Sequence, residues 1–144
     1  MDVSCLNRPF DDLSQPRVKL EADAVDAIIE KREQFLWELV SSEMVIREIS
    51  IMADDERRRR VMLMLEACHS IIPIDEGIVD RAFEIKAMGF RSADAAHVAA
   101  AEANQAGLLL TCDDKMVKLA RRHSSKLKVE VRNPLSWLQE VLNV

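Results

Sequence analysis

Aromatic residues make up only 4% of the chain, too few for a platform on which nucleic-acid bases could stack. Cysteines are also scarce. Cys5, Cys68 and Cys112 are an odd number with no Cys-x-x-Cys spacing, which argues against a disulfide framework or a zinc site. None has an adjacent base that would mark a nucleophile, so buried free thiols are expected. Cys5 and Cys112 lie near key acids and are candidates to line a site. No apolar run approaches the roughly 20 residues that span a bilayer. The first residues lack the cationic, hydrophobic and small-residue succession of a secretory signal, so a cytoplasmic protein with no membrane partner is expected. Repeats, low-complexity tracts and linkers are absent too. The 144 residues are therefore expected to form one domain, 1–144, able to bury a core without staples.

What is present is an ordinary globular composition, 49% apolar and 31% charged, which excludes a disordered chain. The net charge of −5 offers no global attraction to nucleic acid. An enzyme acting on a polyanion would then need a local basic patch and a metal. Periodicity and capping residues predict twelve alternating elements. Residues 1–6 read as a short strand, 21–35 as a helix through Ala24, Val25, Ile28, Ile29 and Phe35, and 37–41 as a strand. Ser42 caps a helix over 43–52 and Asp54 one over 56–68. The third strand, 71–74, contains Pro73 and so reads as an edge. A helix over 76–88 stops at Gly89, an alanine-rich helix capped by Ser92 ends at Gly107, and 108–111 is a buried strand. A helix over 114–122, a strand over 127–131 and a helix opened by Pro134 complete the chain. Strands alternating with helices, without hairpin signals, predict an α/β fold: a three-layer α/β/α sandwich around a mainly parallel sheet of about five strands.

In such a sheet a ligand crevice lies outside the carboxyl ends of the strands. Asp2, Glu48, Asp94 and Asp113 fall at the ends of apolar runs or in the first turns of helices. Gathered together they repel one another, so some stay protonated or a cation joins them. Oxygen ligands without a cysteine or histidine pair suit Mg²⁺ or Mn²⁺. Such an ion activates water and neutralises phosphate charge. Thr111 is placed to orient Asp113, and His97 lies one turn from Asp94 on the same helix face. Each acid also has a bland reading. Asp94 complements a helix dipole, and Glu48 sits on the polar flank between Ile46 and Ile49.

The segment Asp2-Val3-Ser4-Cys5-Leu6-Asn7-Arg8-Pro9-Phe10-Asp11-Asp12, residues 42–49, Asp94-Ala95-Ala96-His97 and Thr111-Cys112-Asp113 resemble, in order and spacing, the motifs of PIN-domain proteins, among them the VapC-type toxins. The likeness runs on to Asn133-Pro134-Leu135-Ser136-Trp137-Leu138 and so covers essentially the whole chain. It implies that Asp2, Glu48, Asp94 and Asp113 bind the metal and that the activity is Mg²⁺-dependent cleavage of RNA. Asp114 and Glu43 are neighbours that would serve in another register. The resemblance further implies a homodimer and a small antitoxin as partner. Family members usually carry several apolar residues before the first aspartate as a central strand. Here Met1 alone precedes Asp2, so that strand is expected to be truncated and its pairing weakened.

Basic residues divide between two readings. Arg57, Arg58, Arg59 and Arg60 form either a solvated helix face paired with Asp54, Asp55 and Glu56, or a contact for RNA or a partner. Arg8 lies near Asp2 and is a candidate for phosphate. Trp37 and Trp137 read as core anchors. Two other functions compete with a ribonuclease. One is a non-catalytic binding protein on the same scaffold; the other is a phosphoacceptor domain using Asp75. The latter lacks the expected lysine in Arg132-Asn133-Pro134.

Overall fold

The computed structural model describes residues 1–142. After a first helix α1 (Val3–Asn7) and a 3-10 turn at Arg8–Phe10, the elements run α2 (Pro16–Lys31), β1 (Val40–Ser42), α3 (Glu43–Ser50), α4 (Asp55–Met64) and β2 (Ser70–Ile72). Then follow α5 (Glu76–Lys86), α6 (Ser92–Ala103), β3 (Leu108–Leu110), α7 (Asp114–Arg122), β4 (Glu130–Arg132) and α8 (Pro134–Leu142). From α2 onward this is the order expected from periodicity.

Local chemistry sets the boundaries. Ser42 accepts from the Val45 N–H at 3.3 Å, Asp54 from Arg57 N–H at 3.0 Å and Asp75 from Ile78 N–H at 2.9 Å, so each opens its helix by satisfying a free amide. Pro134 begins α8, where its missing N–H costs nothing. Gly89, at φ 113°, makes the turn between α5 and α6 in a conformation that side chains with a Cβ rarely adopt.

The first element departs from expectation. Residues 1–6 do not form a strand; Asp2 is extended, and α1 begins at Val3. Asp2 accepts from the Cys5 N–H at 3.2 Å, and that cap commits the next residues to a helix. Consequently the sheet is also different. Among the described residues there are four strands, not about five, in two separate parallel pairs, β1 with β2 and β3 with β4. β2 lies at an edge, as Pro73 beside it requires.

Helices still cover both faces of the β3–β4 pair. Leu109 joins Ile78, Ile85, Phe90, Val98, Met116 and Val131 in one cluster. Its neighbour Leu110 turns the other way, toward Cys5, Val25, Ile28, Cys112 and Leu138. Alternation along a strand thus serves two cores at once. A third cluster, Leu6, Val45, Ile49 and Val61, ties α1 to α3 and α4. Trp37 and Trp137 pack against the second core with ring centroids 4.9 Å apart. Arg81 fastens α5 to α6 with a two-pronged grip on Glu102, at 2.8 and 3.2 Å.

Ile85 is fully buried where α5 meets α6. Ile85→Ala should lower unfolding free energy by about 2–5 kcal/mol in a denaturant titration, because the cavity adds to the lost transfer term. A change below about 1 kcal/mol would place Ile85 outside the cooperative core.

Candidate active site

Three backbone features bring the acids to one end of the molecule. The Asp2 N–H donates to Leu110 O at 3.0 Å, which fixes Asp2 beside the carboxyl end of β3. Asp113 lies three residues beyond Leu110 and caps α7. Asp94 lies in the first turn of α6.

Asp2 is held most firmly. It is buried, and its Oδ1 accepts from Ser4 Oγ at 2.6 Å and from the Cys5 N–H. Its Oδ2 accepts from Thr111 Oγ1 at 2.6 Å. Thr111 in turn accepts from the Asp113 N–H at 3.1 Å, so it orients Asp2 through its hydroxyl and Asp113 only through the backbone. Asp113 Oδ1 accepts from the Lys115 and Met116 N–H groups at 2.9 and 3.2 Å. Its Oδ2 is left for a cation.

That cation is Arg91. Its Nε donates to Asp94 Oδ2 at 2.9 Å and its Nη2 to Asp113 Oδ2 at 3.0 Å, so one guanidinium bridges two of the acids. The sequence requires a positive charge among these carboxylates, and within the chain Arg91 supplies it. Arg91 is largely exposed, hence free to leave. Glu48 joins from α3 through His97, whose Nε2 donates to Glu48 Oε1 in a short contact. His97 is buried, so α6 carries one acid of the group and positions another.

Among the described residues, no three His, Cys, Asp or Glu side chains are gathered as a ready metal cage. Asp2, Asp94 and Asp113 share one end, with Glu48 reached through His97, but their oxygens are turned to Thr111, Arg91 and backbone amides. The two alternates are engaged elsewhere. Asp114 pairs with Arg17 at 2.5 Å, and Glu43 accepts from the Ile74 N–H at 2.8 Å. Arg8 is drawn to Asp11 at 3.1 Å and to the fully buried Glu21 at 3.3 Å. Asp75 is accounted for as the cap of α5.

Cys5 and Cys112 are buried with their sulfurs 3.8 Å apart, behind the acids. Burial pushes the Cys5 thiol well above its usual range, so it stays protonated and serves packing. Sequence reasoning missed two residues. Ser4 couples Asp2 to the Cys112 N–H at 2.9 Å, and Arg91 bridges α6 to α7. A serine two places after an aspartate, and an arginine three before one, are the local signals that were there to read.

Burial raises the Asp94 carboxyl above its ordinary value; Arg91 opposes this and the Asp2 charge adds to it. A raised value means that folding favours the protonated form. The stability it lends is full below the unfolded value and lost as pH rises through the folded one. In metal-free buffer, any stability advantage of Asp94→Asn over the parent should therefore shrink as pH falls through the raised value. An advantage that grows toward acid pH would mean a depressed Asp94.

The PIN domain family model matches residues 3–122. No curated protein and no solved structure matches the chain. PIN domains are generally nucleases and typically bind a divalent metal. No helix among the described residues is long and apolar enough to cross a membrane. With a match across most of its length, over the segment that carries all four acids, the chain belongs to the PIN domain family.

Proposed function

We propose that the protein is a metal-dependent endoribonuclease, the toxin of a toxin–antitoxin pair related to the VapC type. The observation that carries this reading is the bridge from Asp94 through Arg91 to Asp113, at the end of β3 where Asp2 is anchored. Two carboxylates that hold a mobile cation between them are suited to hold Mg²⁺ or Mn²⁺ in its place. Asp94 and Asp113 would bind the ion, with Asp2 and Glu48 holding its water ligands through hydrogen bonds. When bound, the ion would supply positive charge for the scissile phosphodiester and make water a better nucleophile.

The chain's own residues prepare that chemistry. Thr111 and Ser4 fix the rotamer of Asp2, and His97 orients Glu48. Asp113 keeps one oxygen on its helix and the other toward the site. Once displaced, Arg91 is placed to meet a phosphate of the RNA backbone, which is a natural partner for a guanidinium fork.

The Arg57–Arg60 run contributes less than its charge suggests. Arg57 pairs with Asp11 at 3.0 Å and reaches Phe10 O, Arg58 pairs with Asp55 at 2.6 Å, and Arg60 with Glu56 at 2.6 Å. Arg59 is the exposed member without an ion pair among the described residues, and it is the one we assign to RNA or partner contact. A homodimer and a small antitoxin that covers the acidic end complete the reading.

A second reading, a binding protein without catalysis, draws on the same geometry. Asp2 and Asp113 already act as helix caps, and Arg91 already neutralises Asp94 and Asp113. Calorimetric titration with Mn²⁺ separates the two: uptake supports the nuclease, and no heat at millimolar metal with the fold intact supports the binding protein.

Asp94→Asn should keep the fold and slow Mg²⁺-dependent cleavage of a structured RNA by about a hundredfold or more, the upper end of losses seen when a metal's surroundings are disturbed. Cleavage at the parent rate would remove Asp94 from the site. Arg91→Gln should tighten Mn²⁺ binding about two- to fivefold, since a competing exposed ion pair contributes about 0.5–1 kcal/mol. Weaker binding would mean that Arg91 supports the metal rather than competing with it.

A further inference from the structure

The two parallel pairs leave their inner edges facing one cleft of about 430 Å³, walled by residues 36–42 on one side and 104–110 on the other. In a parallel strand the N–H and C=O of one residue point to one side and those of the next residue to the other. Thr111 N–H donates to Arg132 O at 2.9 Å, and Gly107 O accepts from Glu130 N–H at 3.3 Å. The odd-numbered peptide groups therefore face β4, and those of Leu108 and Leu110 face the cleft. On the opposite wall Leu39 O accepts from His69 N–H at 2.7 Å, so Val40 turns its peptide groups into the same cleft. Ser41 lines that wall, and its hydroxyl is buried with no hydrogen-bond partner.

Above and below, the lining is mainly apolar. Ile28, Trp37 and Trp137 close one face, and Ala100 and Ala101 of α6 close the other. Met1 stands at the end of the cleft, and the Asp2 N–H has already taken Leu110 O. Ser4 reaches Thr111 and the Cys112 N–H, so this backbone runs in the same direction as β3. It makes the first rung of a ladder that has no further rungs.

We propose that the cleft is a slot for one extended, apolar strand of about five residues, parallel to β1 and β3, formed by polypeptide joined to Met1. A strand rises about 3.3 Å per residue, so five residues cover about 16 Å. Both of its faces would be covered, which calls for a continuous apolar run and not an alternating one. Its main chain would take up the edges at Val40, Leu108 and Leu110 and merge the two pairs into one five-stranded sheet. Continuity with Met1 favours a tethered occupant. The rung at Asp2 is set, and a separate chain would lose translational freedom that a tether has already given up.

The test compares the full 144-residue chain with versions carrying Val-Ile-Val-Ile-Val, Thr-Val-Thr-Val-Thr or a Gly-Ser pentapeptide ahead of Met1, and with free acetylated Val-Ile-Val-Ile-Val added in trans. Hydrogen exchange of the Val40, Leu108 and Leu110 amides is the readout, together with the melting temperature. The Val-Ile extension should slow these amides by about tenfold or more and raise the melting temperature; the Gly-Ser extension and the free peptide should do neither. The threonine version should lie between them, and carries the test if the more apolar one aggregates. Unchanged exchange in both apolar extensions would overturn the slot. Equal protection by the free peptide would overturn the tether and assign the slot to a separate chain. No readout involves metal or RNA, so failure here is distinct from failure of the nuclease reading.

Discussion

The backbone bond from the Asp2 N–H to Leu110 O joins the start of the chain to the end of β3, and most of the site depends on it. It brings Asp2 within reach of Thr111, and Thr111 then sits between Asp2 and the Asp113 amide. Ser4 repeats the link one step on, through the Cys112 N–H. These contacts are buried, where each hydrogen bond is stronger and each unpaired group more costly than at the surface. Without the anchor, the Asp2 carboxylate would be a charge on a free terminus. With it, an acid from one end of the sequence meets two from the other.

Charge balance then decides the detail. Three carboxylates near one another in a partly dry environment cannot all stay ionised without a counter-charge. Arg91 provides one from outside, on a largely exposed side chain, and His97 provides a donor from inside, on a buried one. The buried contact gives a fixed position and the exposed one is exchangeable. A site that must admit a cation and a polyanion has use for both. The same reasoning explains how a chain of net charge −5 can belong to a nuclease family: what a phosphate meets is set locally.

Much of the fold was legible because its signals are local. Ser42, Asp54, Asp75 and Pro134 mark helix starts by chemistry that needs no tertiary partner, and continuous apolar runs mark β3. Residues 1–6 were misread because Val3, Cys5 and Leu6 fit a strand as well as a helix. The choice fell to the Asp2 cap and to the absence of pairing residues before it. The split of the sheet follows from that one element and was not visible in any strand's own sequence. At the site, the four acids could be named because their spacing matches a family. Arg91 could not, since its bridge to Asp113 spans 22 positions and depends on how α6 and α7 meet. The arginine run shows the converse. Four consecutive positive charges look like a ligand surface in sequence, and the fold uses three of them for ion pairs and carbonyls.

The central claim is that acids from distant segments form one cation site at the carboxyl end of β3. Paramagnetic broadening by substoichiometric Mn²⁺, read residue by residue in a nuclear magnetic resonance spectrum, addresses it directly. The account predicts that signals of Asp2, Glu48, Asp94 and Asp113 and their immediate neighbours vanish first, and that excess Mg²⁺ restores them. Broadening spread evenly over the surface acids, or centred on another part of the molecule, would contradict it.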